Sequence, residues 1–291
     1  MRRGKKDTHL AGTTSASAAG IELDGNTAYV AVVHEGGVES VTTITSDSPH
    51  EALREALAGL RPDEPARVLF RSGLVEAFGG RFSSASMNRA HIVTRAYETL
   101  RKDPGSLNVS AIITSPDTAR EGGITDGLIT ATSANSVQAL YDVVGTRDVQ
   151  VISAPAAYTR LEGLNLYVGG STTDLVYVSG GQPKAWKILD VPSLDMMARS
   201  LGAGGAGRLR AALASDHSDP IASGEVSRWV RSVGAAVRSQ RQTWEMDGHK
   251  VGKHITLFGS GATSTALLEL LATLGMETTT PVISRSLAGR S

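Results

Sequence analysis

Three short glycine-containing turns, each directly after an apolar strand-like run, constrain the fold of this chain more than any other feature. They lie at residues 24–27, 169–173 and 259–262. Glycine lets the backbone turn sharply and brings N–H groups close to an anion, while serine and threonine hydroxyls add donors. Each turn alone is typical of an ordinary hairpin. Together they could bind one phosphate-bearing ligand, and the candidate binding residues are Gly25, Asn26, Thr27, Gly169, Gly170, Ser171, Thr172, Thr173, Gly259, Ser260, Gly261 and Ala262.

The hydrophobic periodicity predicts a mixed α/β chain in which two strand-rich openings are each followed by helices. A polar loop is predicted over 117–127. Strands are predicted at 20–23, 27–33, 38–45, 67–70, 109–115, 149–153, 164–168, 174–178, 184–189 and 254–258, and helices at 49–60, 87–101, 133–144, 193–201, 224–246 and 263–274, with a short helical segment after Pro155.

This pattern predicts two related lobes. Residues 1–19 combine a basic cluster with a Thr/Ser/Ala/Gly run that has no hydrophobic periodicity, so we expect a disordered basic tail. Residues 20–163 form the predicted first lobe and 164–276 the second. Residues 277–291 remain as a C-terminal segment that could return to the first lobe.

Composition excludes several classes of protein. The 291 residues carry 29 Lys and Arg against 29 Asp and Glu, so nucleic acid is not the expected partner. The absence of cysteine excludes disulfide frameworks, thiol nucleophiles and thiolate metal sites. No apolar run approaches the ~20 residues of a membrane span. These features predict a cytoplasmic protein that reaches a membrane only through a partner or its tail.

Other familiar sites do not match. Gly259 and Gly261 between a strand and a helix imitate a dinucleotide-binding turn, but beyond the helix that follows only Glu277 remains as an acid, and the chain nearly ends first. No P-loop motif and no Gly-x-Ser-x-Gly elbow occurs. His249 and His254, the closest histidine pair, lack the helical spacing of a zinc protease.

The order of the three turns resembles the actin-like ATPase superfamily, which includes actin, Hsp70, sugar kinases, FtsA and PilM. Residues 20–27 look like its first phosphate hairpin, 166–174 like its second and 255–262 like its adenosine-binding turn. Residues 151–157 are similar to the segment that connects the lobes. The long predicted helix before the last turn and the short chain look most like the branch that contains PilM and FtsA.

This resemblance implies two ribonuclease H-like lobes with a nucleotide cleft between them, and ATP and Mg²⁺ as cofactors. It assigns catalytic roles to Glu22 and Asp24 and a magnesium site to Glu22 and Asp174. The chain departs from the family where Glu22 and Tyr167 stand, since aspartates are usual there. A phenol is neutral at pH 7 and is a poor partner for magnesium. We therefore expect nucleotide binding with impaired hydrolysis.

Two functions remain open at this point. The first is a nucleotide-responsive scaffold that binds the cytoplasmic segment of a membrane assembly protein of a pilus or secretion machine, at the inner face of the cell membrane. The alternative is an enzyme of the same superfamily, either a self-associating filament ATPase or a small-molecule kinase. The alternative requires another acid, such as Glu22, Asp24 or Asp174, to compensate for Tyr167.

Overall fold

Two β-sheets with helices packed on them form the protein. The predicted α/β class with two actin-like lobes is confirmed by this arrangement. In the part of the chain that is described, none of the helices combines the length and apolarity that crossing a membrane requires. The computed structural model describes residues 17–34, 37–71, 74–83, 93–94, 97–98, 105–113, 124–152, 161–215 and 217–280.

The first sheet has five strands in the order β3-β2-β1-β4-β8. The first three pair antiparallel, and β4 and β8 extend the sheet in parallel from β1. Helices α1 (Pro49–Ala58) and α2 (Ala134–Val144) contact each other, and both contribute to the first lobe's core. The strands are β1 (Ala18–Asp24), β2 (Thr27–His34), β3 (Gly37–Thr45), β4 (Ala66–Phe70) and β8 (Val149–Ile152).

The second sheet repeats this order as β11-β10-β9-β12-β13. Here too a three-stranded antiparallel meander is extended by two parallel strands. The strands are β9 (Gly163–Val168), β10 (Thr173–Ser179), β11 (Gln182–Ile188), β12 (His254–Phe258) and β13 (Glu277–Thr279), and the helices are α3 (Leu194–Ser200), α4 (Gly205–Leu213), α5 (Pro220–Met246) and α6 (Thr265–Thr273).

Local sequence explains where these helices begin. Pro49 opens α1, and the Ser48 hydroxyl accepts a hydrogen bond from the Glu51 amide. Asp219 caps α5 in the same way, since one carboxylate oxygen accepts from two backbone N–H groups. The apolar face of α5 then packs on the second sheet through Trp229 and Trp244. Both tryptophans are buried.

Three strands from the first half of the chain lie in the second sheet, which differs from the predicted division. They are β5 (Leu74–Ser83), β7 (Ile124–Ser133) and β6 (Leu107–Ile113), and they extend the sheet beyond β11. Residues 124–127, predicted as loop, therefore belong to β7. Residues 277–279 also pair with β12 in the second sheet instead of returning to the first lobe.

Some predictions fall on residues outside those described. The tail over 1–16, most of the helix predicted at 87–101 and the segment after Pro155 are among them. Residues 281–291 also lie outside the described part. Residues 18 and 19, assigned to the tail from the sequence, form the start of β1.

Candidate functional site

The three predicted turns meet where the two lobes face each other. Asp24, at the end of β1, contacts the turn between β9 and β10. Ser260 of the third turn lies near Tyr29 of β2, and its side chain acts against the rise in the pKa of Tyr29. The third turn also packs on the end of β9, just before the second turn, because a Cβ atom added at Gly259 would overlap the backbone of Val168. Segments distant in sequence thus form one cleft.

Asp24 is the acceptor at the centre of this cleft. Its Oδ2 accepts from the Gly170 N–H at 2.6 Å and from the Tyr167 hydroxyl at 2.8 Å. Its Oδ1 accepts from the Ser171 N–H at 2.8 Å and from the Ser171 hydroxyl. Asp24 is only 3% exposed. The donors that the sequence assigned to a phosphate therefore bind a carboxylate of the chain itself.

Arg71 lies directly after β4 and binds carboxylates of both lobes. Its Nε donates to Glu22 Oε1 at 2.5 Å, and its Nη1 donates to Asp174. The guanidinium carbon also lies 3.4 Å from the centroid of the Tyr167 ring. The Arg71 side chain is 1% exposed and that of Asp174 is fully buried. The two predicted magnesium ligands are thus paired with an arginine.

The cleft environment raises the pKa of two tyrosines. Burial, followed by the charges of Asp24 and Glu22, raises the pKa of Tyr167 well above its usual value, although Arg71 opposes this. Burial and the same two carboxylates, with a smaller contribution from Asp195, raise the pKa of Tyr29 to about 12. Both phenols are therefore neutral donors throughout the physiological pH range.

Asp195, at the start of α3, is a further acid in this cleft. Its backbone N–H donates to the Gly170 carbonyl at 2.9 Å, and its carboxylate faces both Gly25 and Gly170. A Cβ atom at either glycine would meet that carboxylate. Burial and then the charge of Asp24 raise the pKa of Asp195. Among the described residues, the acids Glu22, Asp24, Asp174 and Asp195 thus outnumber Arg71 and Arg199, and an added anion would be repelled.

The third turn is shaped by glycine. Gly259 has a φ of +82°, a conformation that other residues rarely adopt, and it leads into a 3₁₀ turn over Ser260–Thr263. A Cβ atom at Gly261 would overlap the Val168 side chain. Ala262 is buried in the second lobe's core. Ser260 of this turn lies near Tyr29 of the first lobe.

Other predicted binding residues have different partners. The Asn26 amide donates to the Asp47 carbonyl at 2.9 Å, and the Thr27 hydroxyl lies 3.1 Å from that of Thr45. Both bonds are exposed and lie within the first lobe. The hydroxyls of Thr172 and Thr173 are buried and have no hydrogen-bond partner within the described structure. The Gly169 N–H donates to the Thr172 carbonyl and closes the second turn.

The cleft in this arrangement does not fit a magnesium–triphosphate group. Glu22 and Asp174 already share the Arg71 cation, and a guanidinium would repel a divalent ion beside it. The described residues contain no group of three or more His, Cys, Asp or Glu side chains that could hold a metal. The N–H groups of Gly170 and Ser171 are occupied by the Asp24 carboxylate, which would also repel phosphate.

Sequence reasoning missed Arg71, Tyr29 and Asp195. No local motif marks them, since Arg71 is 49 residues from Glu22 and 103 from Asp174 along the chain. One signal was available for Arg71, because a charged residue directly after a buried strand needs a partner. The sequence did identify Glu22, Asp24 and Asp174 as cleft acids, but their catalytic and metal-binding roles stay predictions.

Neither a family model nor a curated protein matches this sequence. Solved structures do match its fold. A chain of a PilM-PilN type IV pilus biogenesis complex has a TM-score of 0.57 at 14% identity, with 91% of this chain and 88% of that chain covered. A Bacteroides thetaiotaomicron protein with an actin-like ATPase fold and unknown function has a TM-score of 0.54 at 9% identity, with 96% and 97% covered.

A third match is component A of the (R)-2-hydroxyglutaryl-CoA dehydratase of Acidaminococcus fermentans. Its TM-score is 0.52 at 12% identity, with 94% of this chain and 95% of that chain covered. At these identities the likeness concerns the fold, which also accounts for the same strand order in both lobes. The resemblance inferred from the three turns is confirmed at this level, and the chain has the actin-like ATPase fold.

Proposed function

We propose that this protein is an actin-like scaffold that binds the cytoplasmic segment of a membrane assembly protein and does not turn over ATP. One observation carries the proposal: Arg71 binds Glu22 and Asp174, the acids that the resemblance assigned to magnesium, and Asp24 binds the N–H groups that it assigned to phosphate. Such a protein keeps a two-lobed surface for binding a partner but cannot hydrolyse ATP. The pilus complex among the similar structures supports a role in assembly.

Impaired hydrolysis follows from the same residues. Tyr167 is neutral and buried, so it cannot orient a hydrated cation or accept a proton from water. Glu22 and Asp174 are bound to Arg71, and Asp24 accepts four hydrogen bonds. Each of these three carboxylates is thus engaged with donors of the chain itself, which opposes a role as base on an attacking water.

A groove beside β6 is the surface that we propose for the partner. It has a volume of about 470 Å³ and lies between the terminal strand of the second sheet and α2. Its lining includes Val109 from β6 and Val137 and Tyr141 from α2. Tyr141 is 50% exposed. Among the described strands β6 is the last of its sheet. A strand in that position, next to apolar side chains, suits an extended peptide, which can pair with the strand and insert alternate side chains.

The enzymatic part is tested with purified protein. We expect no heat of binding in a calorimetric titration with Mg-ATP or ADP, and no phosphate release above the buffer rate. Steady turnover accompanied by sedimentable filaments would refute the proposal and favour the filament ATPase. Phosphate transfer to a small molecule would favour the kinase instead.

The partner is tested by recovery from membrane extracts of the source cells. We expect the protein to retain an envelope-assembly protein, and Tyr141→Arg to lose it, because a long charged side chain would then occupy the groove that the partner needs. Ile221→Arg is the matched control, since Ile221 is 65% exposed at the start of α5 and outside the groove. Equal recovery with both variants would contradict the proposed surface.

A further inference from the structure

Arg71 is fixed at the boundary of the two lobes by its backbone as well as its side chain. Its N–H donates to the Leu23 carbonyl at 2.9 Å, which continues the pairing of β1 and β4 by one residue. The guanidinium therefore starts from a defined point of the first sheet. The whole Arg71 side chain is almost completely buried.

The partners of this guanidinium come from both lobes. Glu22 belongs to β1 of the first sheet, whereas Asp174 and Tyr167 belong to β10 and β9 of the second. Two different nitrogens of Arg71 bind the two carboxylates, and its flat face covers the Tyr167 ring. A planar cation with several donors can make these contacts at once, which an ammonium group cannot.

Asp174 depends on this cation. It is fully buried, and its Oδ1 has no hydrogen-bond partner within the described structure. A buried carboxylate is strongly unfavourable unless a positive charge compensates it. Without Arg71, the charges of Glu22, Asp24 and Asp174 would repel one another across the cleft.

We propose that Arg71 is a resident cation that replaces a metal ion between Glu22 and Asp174 and holds the two lobes closed without a nucleotide. The inference concerns the cleft alone and holds whatever partner the scaffold binds. It also implies that removing the guanidinium opens the lobes and leaves a carboxylate pair that an added cation can fill.

Lobe closure can be measured directly because the chain has no cysteine. Spin labels on Thr43→Cys in β3 and Met246→Cys in α5 report the distance between the lobes without background labelling. We expect one narrow distance in the otherwise unaltered protein, unchanged by Mg-ATP, and a longer, broader distribution in Arg71→Ala. Arg208→Ala is the matched control, since it removes an ion pair with Asp219 inside the second lobe.

Replacement of the lost cation gives a second readout. We expect Arg71→Ala to lower the thermal midpoint by about 10 °C, and 10 mM methylguanidinium or Mg²⁺ to restore part of the stability and the narrow distance. Arg208→Ala should not respond to either cation. An opened Arg71→Ala that neither cation closes would overturn the replacement of a metal ion.

Two distance results would overturn the lock itself. One is an unchanged distribution in Arg71→Ala, and the other is a distance that Mg-ATP shortens in the parent protein. Should Arg71→Ala not fold, Arg71→Lys serves instead, because a single ammonium group keeps the charge but cannot bind both carboxylates in the same way. We expect Arg71→Lys to broaden the distribution, and an unchanged one would refute the proposal.

Discussion

Replacing Asp24 with asparagine tests whether its carboxylate stabilises the cleft as the hydrogen bonds indicate. The two carboxylate oxygens accept from the backbone N–H groups of Gly170 and Ser171 and from the hydroxyls of Tyr167 and Ser171. Asparagine offers one acceptor oxygen and one NH₂ group. The hydroxyls can rotate and accept from that NH₂, but a backbone N–H cannot.

One backbone N–H therefore loses its acceptor whichever way the amide faces. A buried donor left without a partner costs ~1–3 kcal/mol, and a hydrogen bond to a charged group contributes ~1.5–3 kcal/mol. These two quantities overlap in part. Removing one negative charge near Glu22 and Asp195, which are both partly exposed, offsets less than about 1 kcal/mol of this loss. We expect Asp24→Asn to lower the free energy of unfolding by ~2–4 kcal/mol.

Urea denaturation followed by circular dichroism measures this change. Asp142→Asn is the matched control, because its exposed carboxylate accepts one hydrogen bond from Gln138 at 2.9 Å. That control should stay within ~0.5 kcal/mol of the parent protein. An Asp24→Asn variant as stable as the control would mean that Asp24 does not bind the second turn as described, and would refute the argument from the occupied donors.

Three further predictions concern single residues. Gly259→Ala should destabilise the protein by at least ~1 kcal/mol more than Gly180→Ala in the same urea assay, because both have positive φ but only Gly259 faces the Val168 carbonyl; equal losses would contradict the tight packing. The hydrogen bond from Arg208 and the backbone N–H groups of α5 lower the pKa of Asp219 from 3.8 to about 2. Its stabilising effect should thus be complete above pH ~4 and disappear as the pH falls towards 2, so acid titrations of the parent and Asp219→Asn should converge there. Burial raises the pKa of Tyr29 from 10.0 to about 12, so its stabilising effect should be complete below pH 10 and disappear as the pH rises through 12. The difference in phenolate absorbance between the parent and Tyr29→Phe should show a transition near pH 12, and a transition near 10 would disprove the burial.

Much of the fold could be predicted because its signals are local. Apolar alternation and the turn at Gly25 identify the first hairpin, and β12 has the predicted bounds at His254 and Phe258. The sequence did not predict strand β5, because Gly79 and Gly80 interrupt its apolar pattern and glycine has a low propensity for strands. In the structure both glycines pair with β7, which is distant in sequence. This long-range pairing stabilises a strand that local propensity does not favour.

The cleft was less predictable than the fold. Its turns and its acids could be located, since glycine turns and carboxylates after strands are visible in the sequence. What fills the cleft could not be, because a carboxylate at Asp24 suits a catalytic role and a structural one equally well. The difference depends on Arg71, whose partners are determined by how the two sheets face each other. Only the folded chain brings those charges together.

The path of the chain between the sheets limits how this protein can be divided. The chain crosses from one sheet to the other after β4, again after β7 and a third time after β8. A fragment beginning at residue 161 would lack β5 and leave the outer edge of β11 without its neighbour. Bare strand edges promote aggregation. Expression of the halves as separate pieces should therefore yield insoluble material, and binding assays need the undivided chain.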